Sequence, residues 1–145
     1  MTPPGRFRLV SAVHVFVFEQ GRLLLLRRFQ TGYEDGNYGV VAGHLEGGET
    51  VQQAAAREAL EEIGIRISPG DIEVVGVMHR RSTDERVDWF VRPSRWQGTP
   101  RNLEPDKCDE LRWADPEHLP ENVIPYIRRA LENARLGRWF DSFGW

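Results

Sequence analysis

One stretch constrains the fold more than any other. Thr50 to Ile63 has to be a helix, set between glycines, with strand-like segments on both sides. Thr50 and Gln53 have the spacing of a capping box, in which hydroxyl and amide side chains satisfy each other's backbone amides. Gly64 follows as the stop, and Gly43, Gly47 and Gly48 form a bend before the helix. Residues three and four apart share a helix face, so Glu58, Glu61 and Glu62 form one carboxylate cluster. Like charges at these spacings repel by about a few tenths of a kcal/mol per pair. Such a face is useful when a cation fills it, and hard divalent cations such as Mg²⁺ take oxygen ligands. Arg57 is the local counter-charge, placed to pair with Glu49 across the bend.

The rest of the chain sets strands around this helix. Leu9 to Phe18 alternates, Glu19-Gln20-Gly21 turns, and Arg22 to Arg27 is Leu-rich, which predicts a β-hairpin. Gln30 to Asn37 predicts a loop and Tyr38 to Val41 a short strand. Val74 to Met78 and Val87 to Val91 predict strands split by a charged turn at Ser82 to Arg86, and Leu111 to Trp113 a further short strand. A second helix is expected from about Asn122 to Leu136, with Pro125 in its first turn and Gly137 as its stop. The tail from Arg138 to Trp145 is aromatic enough to require packing. Strands flanking one helix, closed by another, indicate an α/β fold with helices on the faces of a mixed sheet. A length of 145 residues suits a single domain, 1–145.

Composition excludes some partners. A net charge of −3 argues against a grip on long nucleic acid, which calls for a basic face. It permits a small-molecule nucleotide whose phosphates are neutralised by metal. Cys108 is the single cysteine, so no intrachain disulfide can form, which suits a reducing compartment. One cysteine with four scattered histidines has no zinc-ligand spacing. With a polar start and no long apolar run, a cytoplasmic protein without a membrane segment is expected.

The segment Gly43 to Ile65 resembles the Nudix box: Gly, five residues, Glu, seven residues, then Arg-Glu-U-x-Glu-Glu-x-Gly-U, with U aliphatic. Gly43, Glu49, Arg57, Glu58, Glu61, Glu62, Gly64 and Ile65 match it, while Ala59 is smaller than usual. The flanking hairpin, the later strands and Trp96-Gln97-Gly98-Thr99-Pro100 look like MutT-type members. The resemblance implies a Nudix-type α/β/α sandwich that hydrolyses a diphosphate linkage with Mg²⁺ or Mn²⁺. It makes Glu61 and Glu62 metal ligands and Glu58 a ligand or the base that activates water. Arg57 and Glu49 become a supporting pair. The backbone carbonyl of Ala42, where many relatives have glycine, is another expected ligand. A carboxylate from outside the box is common in such enzymes, and Glu104 and Glu110 are the candidates.

Substrate signals are sparser. Arg80 stands where ADP-ribose hydrolases tend to have proline, and Arg81 and Ser82 where diadenosine polyphosphate hydrolases tend to have tyrosine. These absences favour a MutT-like hydrolase of (deoxy)nucleoside triphosphates, in the manner of nucleotide-pool sanitation. Alternatives are a nucleotide-sugar, ADP-ribose or dinucleotide diphosphatase, and a nucleotide sensor without catalysis. Gly43 lies where the backbone meets ligand, and His79 and Arg80 end a strand as phosphate contacts or as a solvated turn. Tyr38 and Trp89 are candidates for base stacking or for the core, and Asn122 for reading a purine edge or capping the last helix. A monomer or a homodimer is compatible with all of this.

Overall fold

The computed structural model describes residues 5–145. Among these residues nine strands and two α-helices form in chain order: β1 (Val10–Val15), β2 (Phe18–Glu19), β3 (Arg22–Arg28), β4 (Tyr38–Gly39), β5 (Val41–His44), α1 (Val51–Ile63), β6 (Ile72–Arg81), β7 (Glu85–Pro93), β8 (Cys108–Ala114), α2 (Pro125–Arg135) and β9 (Phe140–Phe143). One sheet runs β5-β1-β7-β6-β9 and is mixed, because β1 pairs parallel with β7 and β6 parallel with β9. A second, antiparallel sheet joins β2, β3, β4 and β8.

The fold is an α/β/α sandwich, with a core on either side of the mixed sheet. Val13, Val15, Val41 and Val91 pack with Ala54, Ala55, Ala59 and Ile63 of α1. Phe16, Met78 and Phe90 pack with Tyr126, Ile127, Ala130 and Leu131 of α2. The leucine run of β3 is divided between them: Leu24 and Leu26 join the first core, Leu23 and Leu25 the second. Burial on both faces explains a continuous apolar run in place of alternation.

The expected hairpin forms only at its tip, where Phe18 and Glu19 face Leu23 and Arg22. The strand before it separates at Phe16 and Val17 so that β1 can enter the other sheet between β5 and β7. Local turn chemistry set the tip, and long-range burial decided the rest. The tail also packs: β9 adds to the edge of β6, and the Trp145 indole lies on His79 with ring centroids 4.7 Å apart.

Helix α1 starts as its sequence dictates. Thr50 Oγ1 accepts from the Gln53 amide at 3.1 Å, and Gln53 Oε1 accepts from the Thr50 amide at 2.9 Å. Gly64 closes the helix in the left-handed conformation, φ 71°. Thr50→Ala is expected to cost about 1 kcal/mol, measured by chemical denaturation. Pro125 opens α2 at its first turn.

Candidate active site

A cleft of about 670 Å³ opens between the two sheets and the C-terminal half of α1. Its lining has two distinct ends. Glu58, Glu61, Glu62 and Glu104 stand at one; His14, Arg80, Arg86 and Tyr126 stand at the other.

The acidic end is built by α1 against β5. Arg57 organises it: Nη2 donates to Glu49 Oε1 at 2.7 Å, Nε to Glu49 Oε2 at 3.1 Å, and Nη1 to Glu58 Oε1 at 2.7 Å. Glu46 and Glu61 lie 3.4 and 3.6 Å from the same guanidinium. Its Nη2 also donates to the His44 carbonyl at 3.2 Å, tying helix to loop. Hydrogen bonds to Glu49 and Glu58 hold the Arg57 charge, and the Arg57 contact in turn keeps Glu49 below the usual carboxylate range.

Glu62 is the opposite case. Burial pushes its carboxyl well above the ordinary range, and the adjoining Glu58 carboxylate and the nearby Glu104 push it further. A 3.2 Å bond from the Ala42 amide acts the other way. Carboxylates crowded together against their electrostatic preference form a donor set suited to a hard divalent cation. Among the described residues no three His, Cys, Asp or Glu side chains are already arranged to hold a metal ion.

Gly43 is required by contact rather than by backbone conformation. A Cβ at this position would occupy the space of the Glu58 carboxylate. The obstructing group is the end of a flexible side chain, so the fold accommodates it by moving Glu58. Gly43→Ala is therefore expected to change unfolding free energy by less than about 1 kcal/mol. Any catalytic turnover should fall by more than about tenfold, since small misplacements of reacting groups are costly. Parallel denaturation and rate measurements check this.

Ala42, Gly43, Glu58, Glu61, Glu62, Arg57, Glu104 and Arg80 all line the cleft. Glu49 stands behind it as the partner of Arg57. Three residues expected at the substrate do not line this cleft. Tyr38 is buried in the α2-side core with its hydroxyl bonded to Glu110, because β4 must carry an apolar ring inward beside β3. His79 is turned to the opposite sheet face from Arg80 by strand alternation and meets Trp145. Asn122 does not cap α2 and is absent from the cleft lining: its Nδ2 donates to the Gly36 carbonyl at 2.8 Å, pinning the 30–37 loop. Trp89 packs on the α1 side with Nε1 donating to Ser11 Oγ at 2.8 Å.

Sequence reasoning missed, among others, the cleft residues His14 and Tyr126 and the fully buried Asp88 behind them. His14 Nε2 lies 2.9 Å from Tyr126 Oη, and Asp88 accepts from Arg80 Nε at 2.6 Å. Burial lowers the His14 pKa to about 4, although Asp88 opposes the shift. A signal existed: His14 and Asp88 are lone polar residues inside apolar strand runs, Val13-His14-Val15 and Val87-Asp88-Trp89.

Comparison with known proteins agrees with this geometry. The NUDIX domain family model matches residues 8–140. An NAD-capped RNA hydrolase NudC of Stutzerimonas stutzeri is 40% identical over 137 residues, 90% of this chain but only 47% of that protein. The chain thus spans about half the length of that relative. The 8-oxo-dGTP diphosphatase of Escherichia coli is 29% identical over 128 residues, covering 84% of this chain and 98% of the relative. The crystal structure of a MutT NUDIX hydrolase from Burkholderia pseudomallei superposes with a TM-score of 0.79 at 26% identity, covering 87% and 98% of the two chains.

Proposed function

Because the chain belongs to the Nudix family, we propose that it is a metal-dependent hydrolase of nucleoside diphosphate linkages, acting on (deoxy)nucleoside triphosphates to release a monophosphate and pyrophosphate. The observation that carries this reading is the crowding of Glu58, Glu62 and Glu104 at one end of a nucleotide-sized cleft. When bound, Mg²⁺ or Mn²⁺ neutralises the diphosphate and lowers the pKa of the attacking water. Glu58, Glu61, Glu62, Glu104 and the Ala42 carbonyl are the groups that would hold it.

The chain's own residues do the remaining work. In this reading Glu58 accepts a proton from water, its carboxylate held by the Arg57 Nη1 bond at 2.7 Å. Arg57 and Glu49 fix the loop against the helix, so the oxygens stay aimed without reorganising during reaction. Gly43 leaves room for the Glu58 carboxylate. Complete retention of the box glutamates favours catalysis over sensing.

A dinucleotide diphosphatase is the second reading, favoured by the 40% identity to the NudC protein. A panel assay with Mg²⁺ and Mn²⁺ separates the two, with products identified by chromatography. It should include normal and oxidised triphosphates, ADP-ribose, NAD, diadenosine polyphosphates and nucleotide sugars. Triphosphate cleaved to monophosphate and pyrophosphate is the expected result. Turnover of a dinucleotide alone would transfer the same chemistry to the second reading. Tight binding without turnover would indicate a sensor.

A further inference from the structure

The non-acidic end of the cleft holds a buried polar cluster that the hydrolytic chemistry does not use. His14, Arg80 and Asp88 are 2%, 4% and 0% exposed. The Arg80 guanidinium is fixed on two sides. Asp88 takes Nε at 2.6 Å and Nη2 at 3.5 Å, and the Tyr126 ring lies 3.6 Å beneath Cζ. Tyr126 is itself oriented by the 2.9 Å contact between its hydroxyl and His14 Nε2. Among the described residues Arg80 Nη1 has no hydrogen-bond partner, yet no buried side-chain nitrogen or oxygen is left unsatisfied. Nη1 therefore reaches solvent, and Arg80 lines the cleft.

Strand register places this cluster relative to the acidic end. His14 is paired with Ala42 across the β1–β5 ladder. Asp88 is opposite Ala12 on one side and Met78 on the other, with Arg80 two residues further along β6. From β5 to β6 is three strand spacings, about 14 Å. A nucleotide whose diphosphate lies at the carboxylates can lay its nucleoside along this floor.

Charge identifies the ligand group. The Arg80–Asp88 pair is closed, and Arg86 beside it is paired with Asp84 at 3.0 Å. This end has a free N–H but no spare positive charge, which suits a neutral acceptor better than a phosphate. A rigid donor also discriminates well, because a group that cannot accept leaves it unpaired.

Resting on the triphosphate reading above, we propose that Arg80, clamped between Asp88 and the Tyr126 ring, determines base specificity by donating from Nη1 to a carbonyl oxygen of the nucleobase. Keto bases are then preferred over their amino counterparts. Arg80 is the contact residue; Asp88, Tyr126 and His14 position it.

The test compares kcat/KM for ITP with ATP and for UTP with CTP, pairs that exchange the exocyclic keto group for an amino group. Wild type should favour the keto member of at least one pair by about tenfold or more. Arg80→Gln, whose amide can donate or accept, should bring that ratio near one, with the loss on the keto substrate. Arg80→Gln also strands the buried Asp88 carboxylate. The double variant Arg80→Met/Asp88→Leu removes both charges and guards against misfolding; it should lose the preference as well. Equal turnover within both pairs in wild type, or an unchanged ratio in the folded double variant, would overturn the proposal while leaving the hydrolase reading intact. Absence of turnover with all four would instead overturn the triphosphate reading. Calorimetric Kd values for the two monophosphates of whichever pair is discriminated then decide the base contact, equal affinity refuting it.

Discussion

Glu62→Gln is expected to lower kcat about a hundredfold or more while leaving the protein as stable as wild type or more so. Replacing residues that merely support metal ligands typically costs 10- to 100-fold, so losing a ligand should reach or pass the upper end of that range. Stability should move the other way. The Glu62 carboxyl is pushed up by burial and by Glu58, which means its charged form is disfavoured in the folded protein. A neutral amide of the same shape removes that repulsion and still has the Ala42 amide as a donor through its carbonyl oxygen. Loss of turnover together with an unchanged or raised Tm is the signature of a residue kept for chemistry. Loss of both would show that Glu62 is structural. Glu61→Gln should also reduce turnover; unchanged rates in that variant would remove Glu61 from the ligand set.

The second large effect is on stability. Asp88→Ala is expected to cost about 3–5 kcal/mol, because it leaves the Arg80 guanidinium buried without its counter-ion. For a domain whose total stability is typically about 5–15 kcal/mol, that is a major fraction. The surface pair Arg27–Asp109 is the control. Its distance of 2.7 Å is just as short, but both side chains are about one-third exposed. Asp109→Ala should therefore cost no more than about 1 kcal/mol. Urea denaturation of both variants measures the contrast. Similar small losses would mean that solvent reaches Arg80 more freely than its burial indicates.

Features set by local chemistry were legible from sequence. The capping box at Thr50, the glycine stop at Gly64, the proline start of α2 and the carboxylate face of α1 each depend on residues within a few positions of one another. The glutamate cluster followed from helix periodicity alone. Long-range pairing was less legible. Nothing near Phe16 announces that β1 will leave the hairpin to lie parallel to β7, since that depends on which burial is larger across the whole molecule. Tyr38 shows the same limit: a strand aromatic beside a glycine loop can face ligand or core, and β4 turns it to the core. His14, Asp88 and Tyr126 come from three elements far apart in sequence, and only the folded register brings them under Arg80.

Cation binding at the acidic end of the cleft is the claim on which the rest depends. Titration of Mn²⁺ followed by electron paramagnetic resonance tests it directly, in wild type and in Glu62→Gln, with and without a non-hydrolysable nucleoside triphosphate. Mn²⁺ should bind wild type, bind more tightly with the nucleotide present, and bind Glu62→Gln at least about tenfold more weakly. Equal Mn²⁺ affinity in the two proteins, with or without nucleotide, would contradict the assignment of this cluster as the metal and diphosphate site.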